Sequence, residues 1–142
     1  MRRRCLGLIG ALVILVMVAP SFAQFGHPLK GSWSGEWRLN GSENRILLDF
    51  DWDGKVLKGM LNPGTDNLTM QNLTLQPPPV NDVSKAMDPW MLHFEADTKD
   101  ASGRTVRLVV DGKLQNIGAY AKFITGTWTV GGQKAEFKVT RN

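Results

Sequence analysis

Three patterns in the chain use residue types that carry chemistry elsewhere. Asp49-x-Asp51-x-Asp53-Gly54 matches the first half of an EF-hand loop, in which alternating oxygens and a glycine turn wrap a calcium ion. The twelfth position of such a loop supplies a bidentate Glu; here it is Met60, and the flanks alternate like strands. A solvated hairpin face is therefore expected, and no metal. His27 and His93 are the only histidines, and neither has a second ligand at short spacing, so both read as surface residues. Gly31-Ser32-Trp33-Ser34-Gly35 lacks the Gly-x-Ser-x-Gly spacing that lifts a serine nucleophile onto a strand-to-helix elbow. No pair of carboxylates alternates inward. The sequence assigns no catalytic residue, no cofactor and no metal site, and the expectation is a protein that is not an enzyme.

The aromatic residues offer more. Trp33, Trp37, Trp52, Trp90, Trp128, Phe50, Phe94 and Phe137 all fall on faces that alternation turns inward. Side chains of that size either fill a core or line an aromatic cup for an apolar ligand. Trp33, Trp52, Trp90, Trp128, Phe50 and Phe94 are the candidate ligand contacts. Inward glycines at Gly31, Gly35, Gly59, Gly112 and Gly126 leave space, or let an indole lie flat on the backbone.

The elements that must position these residues begin after a secretory signal. Arg2, Arg3 and Arg4 make a cationic start, Leu6 to Val18 is apolar, and Pro20 breaks the run before Ser21-Phe22-Ala23. Small residues at −3 and −1 predict cleavage after Ala23. The apolar run is shorter than the roughly 20 residues of a membrane span, and no second one follows. Residues 1–23 are thus expected to leave, and 24–142 to form one domain in a secreted or periplasmic setting. Of the 17 Lys and Arg, three lie in the signal, so the remaining basic residues nearly balance the 13 acidic ones. No basic block remains, which argues against a nucleic-acid partner. The single cysteine, Cys5, is also in the signal, so the domain has neither disulfide nor thiolate.

Glycine and proline divide residues 24–142 into eight segments of period two, and no stretch sustains a helical period. They run from Leu29 to Leu39, Arg45 to Trp52, Lys55 to Leu61, Asn67 to Leu75, Trp90 onward, Arg104 to Gln115, Ile124 to Val130, and Ala135 to Arg141. Asp53-Gly54 predicts a two-residue hairpin turn with Phe50 facing Leu57, Leu48 facing Gly59, and Asp49 opposite Lys58. Leu68 and Met70 change parity to Leu73 and Leu75, which predicts a bulge or break near Gln71-Asn72. A second Asp-Gly-Lys, at Asp111 to Lys113, keeps one parity from Val106 to Leu114 and is read as the middle of one long strand. Gln76 to Pro89, with its prolines, reads as a long loop. The fold class is all-β. An eight-stranded antiparallel up-and-down barrel is expected, because closure removes exposed edges, with a two-sheet sandwich as the alternative.

Gly31-Ser32-Trp33 resembles the Gly-x-Trp signature that opens the barrels of lipocalins and the wider calycin group. The resemblance implies that Trp33 plugs one end of the barrel and that a basic side chain from the last strand, here Arg141, packs over it. Gly126-Thr127-Trp128 is a second Gly-x-Trp. The stretch from Leu29 to Arg141 also resembles secreted bacterial proteins related to the small β-domains that precede some exported α/β-hydrolases. Their closing pattern is matched by Gly126-Thr127-Trp128, Gly131-Gly132-Gln133 and Arg141. Structural roles are accordingly expected for Gly31, Trp33, Gly126, Trp128 and Arg141. Two functions follow as expectations: a module holding a small apolar or amphipathic molecule, or a non-catalytic domain with a solid aromatic core that recognises another exported protein through Pro77-Pro78-Pro79 or an outer face.

Overall fold

The computed structural model describes residues 26–39, 41–62, 67–78 and 89–142. The predicted signal and most of the proline-rich loop lie outside them. Among the described residues the chain forms nine strands: β1 (Gly31–Leu39), β2 (Ser42–Trp52), β3 (Leu57–Leu61), β4 (Leu68–Thr69), β5 (Gln71–Gln76), β6 (Trp90–Lys99), β7 (Thr105–Gln115), β8 (Phe123–Val130) and β9 (Gln133–Arg141). All belong to one sheet in the order β4-β3-β2-β1-β9-β8-β7-β6-β5, and every neighbouring pair is antiparallel. The two ends of this order, β4 and β5, are consecutive in sequence with only Met70 between them. The sheet therefore curls into a nearly closed barrel-like wall rather than a two-sheet sandwich.

The count is nine strands and not the expected eight because the fourth segment is split. Its first residues pair with β3 and the rest with β6. The parity change read from Leu68, Met70, Leu73 and Leu75 marks the place: the β5–β6 register shifts between Gln71 and Thr74, and Asn72 takes a positive φ of 51°. At the split, the Met70 N–H still donates to the Gly59 carbonyl at 2.9 Å. The Met70 side chain fills the space that Gly59 leaves empty; a Cβ there would run into the Met70 sulfur. One bent strand thus ties the two edges of the wall together.

The period-two pattern sends one apolar row per strand inward. Trp33, Ile46, Leu48, Phe50, Leu61, Leu92, Phe94, Leu108, Val110, Leu114, Ile124, Phe137 and Val139 are buried, and no buried polar or charged residue occurs among the described residues. Two inward glycines allow the wall to bend. A Cβ at Gly35 would strike the carbonyl oxygen of Lys138 on β9, and one at Gly126 that of Asp111 on β7. Only hydrogen fits where neighbouring backbones come so close.

The first hairpin differs from its predicted register by two residues. Phe50 faces Gly59, Leu48 faces Leu61, and Lys58 lies opposite Asp51 rather than Asp49. The cause is the Asp53 carboxylate, whose Oδ1 accepts the N–H groups of Lys55 and Val56, each at 2.8 Å. That Asx-type closure makes a four-residue turn, with Gly54 at φ 98°. Parity is unchanged, so every side chain keeps its face. β7 continues without interruption through Asp111-Gly112-Lys113.

Candidate functional site at the open end of the barrel

The meander gives the barrel two unlike ends. One gathers the starts of β1, β3, β6 and β8 and the end of β9; the other carries the connections β1–β2, β3–β4, β6–β7 and β8–β9.

The first end is plugged. Leu29 precedes β1, yet it is fully buried, as is Trp33. The Trp33 indole N–H donates to the Leu29 carbonyl at 2.8 Å. Leu29 in turn donates its N–H to His27 Nδ1 at 3.2 Å, and the His27 ring lies 4.9 Å from that of Trp52. Burial lowers the His27 pKa from 6.5, in keeping with a ring nitrogen that accepts. Arg141 stands directly opposite Trp33 in the β1–β9 pairing, and its guanidinium nitrogens lie 3.4 Å from the position a Cβ would take on Gly31, whose φ is 123°. Just inside the plug, Phe50 and Phe94 meet edge to face at 6.5 Å.

Among the described residues the second end is open. Trp37 of β1 and Trp128 of β8 stack across β9, with centroids 4.8 Å apart and planes at 23°. Trp37 pairs with Phe137 and Trp128 with Ala135, so the small Ala135 leaves room for the two indoles to meet diagonally. Above them is a cleft of about 590 Å³, walled by Leu61, Leu68, Val106, Leu108 and Val130. Asn62, Thr98, Lys99, Asp100, Arg104 and Gln133 form its rim. A pocket of this size, apolar within and polar at the edge, suits a small organic molecule.

The rim is braced by the β6–β7 turn. Asp100 Oδ1 accepts from the Ser102 hydroxyl (2.6 Å), the Ser102 N–H (2.9 Å) and the Arg104 N–H (3.0 Å), and Oδ2 accepts from Arg104 Nε at 3.1 Å. The Ser102 hydroxyl, followed by the Arg104 N–H, holds the Asp100 carboxyl below its ordinary range.

The six residues expected to touch a ligand do not line one cleft, although Trp33, Phe50, Phe94 and Trp128 share one core with Trp90 packed against it. Trp128 lines the open cleft. Trp33, Phe50 and Phe94 are fully buried below it. Trp52 and Trp90 are half-buried toward the plugged end, at the last position of β2 and the first of β6. Trp37, which alternation also turns inward, is the aromatic partner that the sequence-based set omits. Lys99 and Arg104 carry no periodic signal, because a rim position is set by where a strand ends.

The polar patterns stay apart from this cleft. Asp49 accepts from Ser32 Oγ at 3.0 Å, Asp51 lies 3.9 Å from Lys30 Nζ, and Asp53 closes its turn. Among the described residues no three His, Cys, Asp or Glu side chains converge as a metal site. His93 pairs with Asp111 at 2.7 Å on the outer face. A wider concavity of about 1210 Å³ also lies outside, over β1, β9, β8 and β7, where Thr125, Thr127, Glu136 and Lys138 line it. Charged side chains of both signs, such as Arg45, Asp111, Glu136 and Lys138, line it beside Met91, so its greater volume does not make it the better site for an apolar molecule.

No helix among the described residues is long and apolar enough to cross a membrane. Comparison of the chain with protein-family models, curated proteins and solved structures finds no match.

Proposed function

We propose that this protein is an exported, calycin-like binding module that takes a small apolar or amphipathic molecule into its open end and acts by binding rather than catalysis. The observation that carries the reading is the Trp37–Trp128 stack lining a cleft with apolar walls, above an interior of buried apolar side chains. Export is supported by the Arg2–Arg4, Leu6–Val18 and Ser21-Phe22-Ala23 pattern. The calycin likeness is supported by Gly31-Ser32-Trp33 at the plugged end with Arg141 across from it. The test is a titration with the neutral fluorophore N-phenyl-1-naphthylamine. Saturable binding that Trp37→Ala and Trp128→Ala each weaken about tenfold supports the reading. Absence of saturable binding, or binding that both variants retain unchanged, overturns it.

A second reading, a protein-interaction domain, is favoured by Tyr120. This side chain in the β7–β8 connection is fully exposed at the plugged end, and Val56 in the β2–β3 turn is also exposed. Exposed aromatic anchors are typical of contact surfaces. If Tyr120→Ser left every co-purifying exported partner bound, this reading would fail.

A further inference from the structure

We infer that the molecule held at the open end is a short anion: its ring-sized apolar body lies on Trp37, and its negative group meets Arg104, with Lys99 as a second cation. This rests on the reading that the open end binds a ligand, and it adds that ligand's charge and length.

Length follows from what lies beneath the cleft. Trp128 is the more buried indole and Trp37 the more exposed one, so Trp37 is the ring of the stack that a ligand reaches first. Below it Phe94, Val110 and Leu92 are fully buried among the described residues. A long alkyl chain could extend downward only by displacing these side chains. A ring or a short chain fits a cleft of about 590 Å³.

Charge follows from the rim. Among the described residues lining the cleft, the ionisable groups are Lys99, Arg104 and Asp100. Both oxygens of Asp100 are already engaged, Oδ1 by three donors and Oδ2 by Arg104 Nε. The one acid is thus committed to its own turn. Arg104 uses only its backbone N–H and Nε in that turn, and its side chain is largely exposed. Its two Nη groups have no partner among the described residues. They form the fork that matches a carboxylate, sulfate or phosphate. Lys99 is exposed and makes no ion pair among the described residues, whereas Arg104 is ion-paired with Asp100 through Nε. A bare indole face alone would favour a cation. Arg104 and Asp100 offset one another in their ion pair, so Lys99 leaves the rim net positive and reverses that preference, because like charges at a contact are strongly disfavoured.

Two probes with one carbon skeleton separate the claims. 8-Anilinonaphthalene-1-sulfonate carries the anion, and N-phenyl-1-naphthylamine is the same body without it. Both are titrated into residues 24–142 at low salt. The sulfonate is expected to bind about tenfold more tightly than the neutral probe. Arg104→Gln is expected to remove most of that advantage and Lys99→Gln part of it, each weakening the sulfonate more than the neutral probe. Because Arg104→Gln also loosens the Asp100 turn, Arg104→Lys is measured beside it and should recover part of the sulfonate preference. Equal affinity for the two probes, or variants that weaken both equally, overturns the inference and leaves the binding site standing. If neither probe binds, the site itself is wrong and the inference falls with it.

Discussion

Trp33 donates its indole N–H to the backbone carbonyl of Leu29 at 2.8 Å, and both residues are fully buried although Leu29 stands outside the sheet. The Gly-x-Trp tryptophan and the segment before β1 therefore form one plug. Trp33→Phe keeps a ring but strands the Leu29 carbonyl, which should cost about 1–3 kcal/mol. Trp33→Ala should cost about 3–5 kcal/mol. Denaturant unfolding followed by far-UV circular dichroism measures both, and a near-neutral Trp33→Ala would mean that the plug is not structural.

His27 gives the plug a pH dependence. Its pKa is lowered from 6.5 by burial, so the folded state binds this proton less readily than the unfolded chain does. The associated stability is complete above about pH 6.5 and is lost as pH falls through the lower folded value, because the unfolded state then holds more protons. Protonation also removes the Nδ1 acceptor of the Leu29 N–H. Thermal midpoints measured between pH 7.5 and 5 should fall in the wild type, and His27→Phe should lessen that fall. The carboxylates Asp53 and Asp100, both held below 3.8, contribute only at more acid pH. An identical pH profile for wild type and His27→Phe would exclude the coupling.

The bends of the wall depend on glycine at particular positions. Gly126→Ala places a methyl against the Asp111 carbonyl of the adjacent strand and should cost about 1–3 kcal/mol. At Gly26 a Cβ meets nothing within 4 Å, so Gly26→Ala should change stability by less than about 0.5 kcal/mol. Comparable losses in the two variants would show that close strand approach is not what selects glycine at Gly126.

Much of the wall was legible in the sequence, and the reasons for the rest are physical. Alternation reports which face a side chain takes, so the inward rows, the unbroken strand through Asp111-Gly112-Lys113 and the irregularity at Gln71-Asn72 could all be read. Register is a weaker signal. A two-residue and a four-residue turn at Asp53 leave every face the same, and only the Asp53 side-chain bonds to Lys55 and Val56 separate them. Height along the barrel is not encoded by parity at all. Trp33, Trp37 and Trp52 share an inward face, yet the first is sealed in the plug, the second lines the cleft and the third meets His27 at a tilt. The split of the fourth segment into β4 and β5 was visible as a parity change, but not as two pairings with different neighbours.

The most direct test of the open-end site uses the five tryptophan indole N–H resonances in a ¹H–¹⁵N spectrum, assigned by single Trp→Phe substitutions. Addition of N-phenyl-1-naphthylamine should shift the signals of Trp37 and Trp128 and leave Trp33, Trp52 and Trp90 in place. Shifts confined to Trp52 or Trp90, or no shift at Trp37 and Trp128 at saturating probe, would contradict it.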